Sequence, residues 1–303
     1  MYINMLSDYL KEKYGEKYYR LSLNGGMTCP NRDGTCGTKG CLFCTETGSG
    51  EFTPDAYLSI DEQIKRAKEL VANKNTSDKY IAYFQAFSNT YAPIEYLRKL
   101  YFEVIGREDI AILSIATRPD CINAEVLEML QELNSIKPVW IELGLQTSDE
   151  DTAKLIRRGY TNDVYEKAAK EIRSIGCQVI THIILGLPNE NKEDMVKSAE
   201  YAGKHSDGLK FHMLYVAENT DIESMYLNKE LVLLEREEYI DTLCECLRVV
   251  PTYVVIHRIT GDGDKKTLVA PLWTANKKRV LREIENAFVD RDIKQGEKYK
   301  SPV

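Results

Sequence analysis

The fold is decided by one strand–helix–strand unit, VWIELGLQTSDEDTAKLIRRGYTNDVYEKAAKEIRSIGCQVITHIILG (residues 139–186). Its two ends, VWIELGLQ (139–146) and QVITHIILG (178–186), are apolar almost throughout, which is typical of strands covered on both faces of a parallel sheet. Between them, residues 161–175 carry apolar side chains at three- and four-residue spacing, which predicts a helix. The segment therefore forms one β/α unit.

The same alternation of strand and helix runs along most of the chain. Further strand candidates are YYRLSL (18–23), YIAYFQA (80–86), IAILSIAT (110–117) and LKFHMLYV (209–216). Helical stretches lie between the strands, and in the first one Ser59 and Glu62 have the spacing of a capping box. Because crossovers between parallel strands are right-handed, six successive units predict an α/β fold, a partial (β/α)6 TIM-like barrel.

A C-terminal elaboration of strand and helix follows the predicted barrel. It comprises a helix near 235–249, a seventh strand at 252–259 and a helix from about 275 to 290. We divide the chain into an N-terminal helix (1–17), the barrel core (18–220) and a C-terminal extension packed on the barrel (221–303).

The composition is that of a globular protein. Of 303 residues, 43% are hydrophobic and 29% are charged, and no stretch approaches the ~20 apolar residues that cross a bilayer. The amphipathic start lacks the apolar core of a secretion signal, so we expect a cytoplasmic protein without a membrane partner. Thiols stay reduced there, which argues against a disulfide framework for the eight cysteines. The net charge of −7 argues against bulk attraction to nucleic acid but is compatible with a local basic face.

Four of the eight cysteines lie in CPNRDGTCGTKGCLFC (29–44), at the C-terminal end of the first predicted strand, where α/β barrels carry their chemistry. The spacing leaves two interpretations open. A structural zinc site would use all four, but only Cys41 and Cys44 form the close pair that zinc sites favour. Alternatively, Cys29, Cys41 and Cys44 hold a [4Fe-4S] cluster and leave one iron open to another ligand. Cys36 is not needed by the three-ligand pattern, and an incidental role is the simpler interpretation.

Seven further motifs, in order along the chain, carry a resemblance to a known family. They are GGMTCPNRDGT (25–35), YFQAFSNTYAP (83–93), TRPDC (117–121), IELGLQT (141–147), THIILGLP (181–188), KFHMLYVAENT (210–220) and VIHRITGDG (255–263). Together with the cysteine loop, they resemble the radical S-adenosylmethionine (SAM) superfamily. More narrowly, they resemble its YhcC-type subgroup, which is related to the radical domain of the Elongator catalytic subunit. The resemblance runs from about residue 18 to 290.

The resemblance implies the cofactors and their chemistry. Cys29, Cys41 and Cys44 would hold the [4Fe-4S] cluster, and SAM would chelate the open iron. One electron, from a donor such as flavodoxin or ferredoxin, would cleave SAM to methionine and a 5′-deoxyadenosyl radical, which then abstracts hydrogen from the substrate. The cofactor carries this chemistry, while the barrel orients it and excludes water.

The resemblance also implies residues that contact SAM. Phe43 would pack near the adenine, which the backbone of Gly186-Leu187-Pro188 would also approach. An ordinary strand-ending turn explains the Gly-Leu-Pro sequence as well. Arg158 would pair with the methionine carboxylate. Three polar strand residues would reach the ribose or that carboxylate: Thr117, Glu142 and Gln146. For Glu142, a simple ion pair with an arginine is an equally good interpretation.

The superfamily usually has a Gly-Gly-Glu run after strand two that receives the methionine amino group. This chain departs from that pattern, and Gln85, Ser88 or Asn89 would supply a neutral acceptor instead. The histidines within strands, His182 and His212, are predicted to be hydrogen-bonded core residues.

For the substrate, the resemblance implies the wobble uridine of tRNA. The reaction in Gram-positive bacteria would be loss of the carboxymethyl part of 5-carboxymethylaminomethyluridine, giving 5-aminomethyluridine. Basic residues at 277–282 and in the tail 291–300 could face phosphates, but a solvated helix face explains them as well. His257, Arg258 and Asp262 are candidate substrate contacts, against the alternative that they only cap the barrel.

Two other functions stay open. A radical SAM enzyme acting on a small-molecule metabolite would suit the acidic pI near 5.4. A non-catalytic zinc-binding module would follow if all four cysteines of the loop bound zinc.

Overall fold

The computed structural model describes residues 3–48, 53–73, 77–261 and 263–300. Its strands are β1 (Tyr19–Leu23), β2 (Tyr80–Phe84), β3 (Ile110–Thr117), β4 (Val139–Gln146), β5 (Gln178–Leu185), β6 (Gly208–Met213), β7 (Val216–Ala217), β8 (Val255–Arg258) and β9 (Leu268–Ala270). Its α-helices are α1 (Leu6–Tyr14), α2 (Ile60–Val71), α3 (Ile94–Ile105), α4 (Ala124–Ile136), α5 (Glu150–Leu155), α6 (Asn162–Ser174), α7 (Lys192–His205), α8 (Asp221–Leu227), α9 (Arg236–Val249) and α10 (Lys277–Asp290).

Within these ranges, seven strands form one parallel sheet in the order β1-β2-β3-β4-β5-β6-β8. Its first and last strands approach each other across the concave face, where Arg20 Nη2 of β1 lies 3.0 Å from His257 Nδ1 of β8. The sheet is therefore curled into a half-barrel. This confirms the predicted α/β fold, a partial TIM-like barrel. We call the space on its concave face the lumen.

The structure differs from the prediction at two strands. The predicted strand 209–216 breaks into β6 and β7, and β7 pairs antiparallel with β9 in a separate small sheet. The predicted seventh strand at 252–259 is shortened to β8, because a turn closed by a hydrogen bond to the Pro251 carbonyl comes first. Since β8 pairs with β6, the C-terminal part of the chain contributes a strand to the barrel sheet itself.

The predicted helices near 161–175, 235–249 and 275–290 are confirmed as α6, α9 and α10. The predicted capping box at the start of α2 is also present. Ser59 Oγ accepts from Glu62 N at 3.3 Å, and Glu62 Oε2 accepts from Ser59 N at 3.2 Å, so two backbone donors at the helix start are satisfied. Among the helices of the described ranges, none combines the length and apolarity that a membrane span needs.

Side chains of the strands alternate between two environments, because successive residues point to opposite faces of a sheet. On the convex face, residues such as Leu143, Ile183 and Phe211 are fully buried in the main apolar core beneath the helices. That core positions the sheet but leaves the lumen face available for other chemistry.

The N-terminal end of the lumen is closed by an apolar floor. Ile81, Ile112, Trp140 and Ile180, from β2 to β5, pack with Leu10 of α1 in a cluster separate from the main core. Leu10 is 1% exposed. Because α1 plugs this end of the half-barrel, a ligand must enter the lumen from the C-terminal edge of the sheet.

Candidate active site

The loop with the four cysteines follows β1 and lies at the C-terminal edge of the sheet. A tight turn brings Cys44 N within 3.0 Å of the Cys41 carbonyl oxygen, to which it donates. Between these two residues, Leu42 N donates to the Ile156 carbonyl at 3.0 Å. The loop is therefore fixed against the segment that follows β4, at the open end of the lumen.

Three of the four cysteine side chains share one electrostatic environment. Cys29, Cys41 and Cys44 are each partly buried, whereas Cys36 is exposed. Burial raises the pKa of the Cys41 thiol to about 12, and the neighbouring Cys44 and Cys29 act in the same direction. The structure thus places Cys29 and Cys44 close enough to Cys41 to affect the pKa of its thiol and leaves Cys36 exposed, and binding of the cluster by the three cysteines stays a prediction.

Two polar side chains border these thiols. Asn31 Nδ2 lies 3.6 Å from Cys41 Sγ and donates to the Arg157 carbonyl at 2.7 Å. The Arg118 guanidinium is held by Asp120 through hydrogen bonds of 2.9 and 2.7 Å, and it partly offsets the effect of burial on the pKa of Cys41. An N–H group facing sulfur and a nearby positive charge both stabilise bound thiolates. The donor set therefore fits an iron–sulfur cluster.

The three predicted acceptors of the methionine amino group lie just after β2. Asn89 is almost fully buried, and its amide nitrogen donates to three backbone carbonyls at the ends of β2 and β3, at 2.8 to 3.4 Å. Gln85 Nε2 donates to Ser22 Oγ at 3.3 Å. Ser88 is fully buried beside the Cys121 thiol. The amide nitrogens of Gln85 and Asn89 therefore have structural roles, and contact of any of the three with SAM stays a prediction.

Thr117 at the end of β3 is nearly buried, and its Oγ1 lies 2.6 Å from Thr90 Oγ1. Thr90 Oγ1 in turn donates to the Cys121 carbonyl at 2.9 Å. A hydroxyl has a single proton to donate, so Thr117 must donate to Thr90. Towards a cofactor, Thr117 can then act only as an acceptor.

Arg158 is 1% exposed and binds the backbone around it. Its Nη1 donates to the carbonyls of Leu145 at 3.1 Å and Thr147 at 2.8 Å, and its Nε donates to the Tyr160 carbonyl at 2.9 Å. Its Nη2 lies 3.4 Å from Glu150 Oε2. Most of its five N–H groups are therefore occupied within the protein. These contacts favour a structural role, and pairing with the methionine carboxylate stays a prediction.

The remaining predicted SAM contacts lie along the rim. Gln146 ends β4 with φ +68°, a left-handed conformation that non-glycine residues rarely adopt and that is common at functional sites. Gly186 follows β5 with φ +92°, which glycine adopts without strain. Phe43 packs against the apolar cluster that contains Leu187, next to the buried Pro188. The structure thus brings Phe43 and the turn after β5 to the same side of the rim.

Glu142 lies on the lumen face of β4 and is 1% exposed. Its Oε1 accepts from Ser114 Oγ at 2.8 Å, and its Oε2 lies 2.8 Å from His182 Nε2 and forms an ion pair with Lys210. Arg20 Nη2 is 3.9 Å from Oε1. The main cationic partner is therefore a lysine, and the arginine suggested by the sequence is secondary. A contact between Glu142 and SAM stays a prediction.

Further polar side chains surround Glu142 directly above the apolar floor. We call the following set the lumen cluster: Arg20, Tyr83, Glu142, His182, Lys210, His212 and His257. Lys210 Nζ lies 4.4 Å from the centre of the Tyr83 ring, and the rings of His182 and His212 stack at 5.3 Å. Tyr83, Glu142 and His182 each follow a floor residue of their own strand by two positions, so they form the next layer of the lumen.

Three residues of the lumen cluster were not predicted from the sequence: Arg20, Tyr83 and Lys210. The signal was present in LKFHML (209–214), where lysine and histidine alternate with buried apolar residues. Such alternation in a strand whose other face is covered by helices indicates a polar lumen.

The candidate substrate contacts near the end of the chain have different positions. His257 belongs to the lumen cluster, and its ring packs edge-on against Trp140 at 5.0 Å. Arg258 Nε donates to the Thr260 carbonyl at 2.6 Å. Asp262 lies outside the described residues. For the strand histidines, the hydrogen bond predicted for His182 is confirmed, whereas His212 Nε2 is buried without a partner in the described part of the chain.

The basic stretch at 277–282 lies on the exposed side of α10. Arg279 Nε is 2.8 Å from Glu283 Oε1, and Arg236 Nε is 2.6 Å from Oε2 of the same carboxylate. Acidic side chains therefore offset part of the positive charge of this face. Contact with phosphates stays a prediction.

Comparison with known proteins decides the family. Residues 31–202, more than half of the chain, match the Radical SAM superfamily, and residues 206–289 match the Radical_SAM C-terminal domain. The chain belongs to the radical SAM superfamily. This radical SAM protein is 39% identical to uncharacterized protein YtqA of Bacillus subtilis over 292 residues, which cover 96% of the chain and 91% of YtqA. It is 35% identical to protein YhcC of Escherichia coli over 293 residues, which cover 96% of the chain and 94% of YhcC.

More distant similarities connect this radical SAM protein to Elongator-type proteins. The solved structure of archaeal Methanocaldococcus infernus Elp3 with an N-terminal deletion has the same fold, with a TM-score of 0.68, 17% identity and coverage of 92% of this chain and 64% of that one. A protein named tRNA uridine(34) acetyltransferase from Dehalococcoides mccartyi is 28% identical over 155 residues, which are 50% of this chain and 33% of that protein. The predicted relationship of a YhcC-type subgroup to Elongator is confirmed.

Family membership settles the cofactors, which are a [4Fe-4S] cluster and SAM, as predicted. The alternative of a non-catalytic zinc-binding module is therefore wrong. In residues 3–48, 53–73, 77–261 and 263–300, no three His, Cys, Asp or Glu side chains converge in the manner that a single metal ion requires.

Proposed function

We propose that this radical SAM enzyme modifies the wobble uridine of tRNA by converting 5-carboxymethylaminomethyluridine to 5-aminomethyluridine. The observation that carries the proposal is the similarity to a protein named for uridine 34 of tRNA, over half of this chain. The fold shared with archaeal Elp3 is consistent with it. The partners in the proposal are tRNA and an electron donor such as flavodoxin or ferredoxin, in the cytoplasm.

In this proposal, Cys29, Cys41 and Cys44 hold the cluster at the open end of the lumen. When bound, the cluster and SAM supply a 5′-deoxyadenosyl radical. The protein's own contribution is positional. Its rim binds SAM, the floor around Leu10 closes the far end of the lumen, and the lumen cluster offers polar contacts to a substrate group that enters from the rim.

A second candidate is a radical SAM enzyme that acts on a small-molecule metabolite. Two observations favour it: the net charge of −7 and the ion pairs that Glu283 makes with Arg236 and Arg279 beside the basic stretch of α10. A weak positive field would reduce the attraction of the protein for a polyanion such as tRNA, whereas binding of a small substrate does not depend on such a field.

The tRNA assignment is tested by mass spectrometry of tRNA nucleosides from cells with and without this gene. We expect 5-carboxymethylaminomethyluridine to accumulate and 5-aminomethyluridine to disappear in the deletion strain. Complementation with wild-type protein should restore the profile, and a Cys41→Ala variant should not. An unchanged profile would remove the tRNA assignment and favour the small-molecule candidate.

A further inference from the structure

We propose that the lumen cluster binds a carboxylate at the end of a substrate arm that enters past the cysteine loop. This inference deepens the proposed function and rests on it only in one respect: the substrate of a radical enzyme must reach the lumen from the rim. The ligand is defined by its chemistry, as a singly charged oxygen anion. The charge, the unsatisfied donors and the depth of the lumen each support it.

The first argument is charge. Within the lumen cluster, Arg20 and Lys210 are basic, whereas Glu142 is the carboxylate. Burial lowers the pKa of His182 to about 4 and lowers the pKa values of His212 and His257 well below their usual range, so the three imidazoles are neutral near pH 7. Burial lowers the pKa of Lys210 to about 7, so this lysine is partly protonated near pH 7, and in its protonated form these groups carry one excess positive charge. A bound monovalent anion would neutralise it and would favour the charged form of Lys210.

The second argument is hydrogen bonding. Three buried nitrogen atoms at the lumen have no hydrogen-bond partner in the described part of the chain: Arg20 Nε, Trp140 Nε1 and His212 Nε2. Buried donors in folded proteins are nearly always paired, because an unpaired one costs about 1–3 kcal/mol. The Arg20 and Trp140 groups can only donate. The ligand that satisfies them must therefore present acceptor atoms, as a carboxylate does and an ammonium group does not.

The third argument is depth. Glu142 lies four residues before the end of β4, roughly 13 Å from the rim along the strand, and the apolar floor lies directly beneath it. A substrate group that contacts this position must therefore stand at the end of an arm that extends inward from the rim. A phosphodiester, which is flanked by two sugars, does not suit such a closed end. The methionine carboxylate of SAM is a second source of the same chemistry, and measuring SAM affinity in the same variants distinguishes the two.

The test uses anaerobically prepared holoenzyme and acetate labelled with ¹³C at the carboxylate, with binding measured from the NMR line width. Two lumen variants are compared. Trp140→Phe removes the unpaired Nε1 donor and keeps an aromatic ring in the floor, and Arg20→Gln removes one partly exposed cation. The matched control is Lys197→Met on α7, whose side chain is 71% exposed. Circular dichroism verifies that each variant is folded.

We expect acetate binding to weaken at least about tenfold in both lumen variants, equivalent to about 1.4 kcal/mol, and to stay unchanged in the control. Equilibrium dialysis should show SAM affinity within about twofold of wild type in all variants. Inorganic phosphate and methylamine serve as parallel probes, and neither should show binding that depends on the lumen cluster.

Several results would overturn the inference. They are equal acetate binding in wild type and lumen variants, lumen-dependent binding of phosphate or methylamine in place of acetate, and a parallel loss of SAM affinity, which would assign the carboxylate to SAM. The test of the carboxylate site can succeed or fail independently of the test of the tRNA assignment. If nucleosides are unchanged in the deletion strain while acetate binding still depends on the lumen cluster, the tRNA assignment fails and the carboxylate site is supported.

Discussion

Lys210 of β6 and Glu142 of β4 form an ion pair across the lumen, with β5 between their strands. Both side chains are almost completely buried, at 3% and 0% exposure. Removing two charges from water costs several kcal/mol per ion, and the attraction between them offsets that cost only with good geometry and further hydrogen bonds. Ser114 and His182 supply those bonds to Glu142. A buried charged pair is thus costly in the folded protein, and a role in substrate binding, as proposed above, would account for its presence.

The ion pair should show strong energetic coupling. We expect Lys210→Met or Glu142→Gln alone to lower the free energy of unfolding by about 3–5 kcal/mol, because each leaves an unmatched buried group. The double variant should lose clearly less than the sum of the two. Urea denaturation of all four proteins measures the coupling. Additive losses would show that the two groups do not interact.

Of the four cysteines in the loop, three should be required for cluster assembly and one should be dispensable. Alanine at Cys29, Cys41 or Cys44 should abolish cluster assembly, seen as loss of iron, sulfide and visible absorption, together with loss of 5′-deoxyadenosine formation. Cys36→Ala is the matched control from the same loop and should retain all of these, since its thiol is exposed. Retention of a full cluster by a Cys41 variant would contradict the ligand assignment.

The stability of the protein should depend on pH through His182. Burial lowers its pKa from 6.5 to about 4 in the folded protein, so between these values the unfolded state binds more protons. The free energy of unfolding should therefore fall as pH drops from 6.5 to 4, by up to about 3 kcal/mol from this residue. A His182→Gln variant should show a smaller fall over this window.

Titration of Glu190 changes the free energy of unfolding in the opposite direction, and it does so in both wild type and His182→Gln. Burial raises the pKa of its carboxyl from 4.5 to about 7, so its folded form binds more protons between those values and its contribution to stability increases as pH falls. The difference between wild type and His182→Gln removes this common contribution. Parallel curves for the two proteins would show that His182 titrates normally.

Packing of Leu10 of α1 into the floor of the lumen should contribute to the stability of the protein. Leu10→Ala should lower the free energy of unfolding by about 2–5 kcal/mol, because it leaves a cavity among Ile81, Ile112, Trp140 and Ile180. Leu70→Ala on α2 is the control, since this side chain is 79% exposed and should change stability by less than about 0.5 kcal/mol. Equal losses of stability in the two variants would show that Leu10 of α1 does not pack into the floor of the lumen.

The strand and helix pattern was predictable because it depends on local spacing. The apolar runs predicted at 139–146 and 178–186 correspond to β4 and β5, and the capping box of Ser59 and Glu62 marks the start of α2. The break between β6 and β7 was not predictable, since LKFHMLYV is uniformly compatible with a strand. Pairing of β7 with β9, more than 50 residues away in sequence, decides it.

The sequence by itself determined the α/β fold, the family and the three cysteines that approach each other in one short loop, because these depend on periodicity and on neighbours in the chain. Only the tertiary structure decided the lumen cluster. Arg20, Glu142, Lys210 and His257 are separated by up to 237 residues, and they meet because the curled sheet brings β1 and β8 face to face. Which charges face each other across a half-barrel depends on strand order, register and curvature, and no local pattern specifies all three.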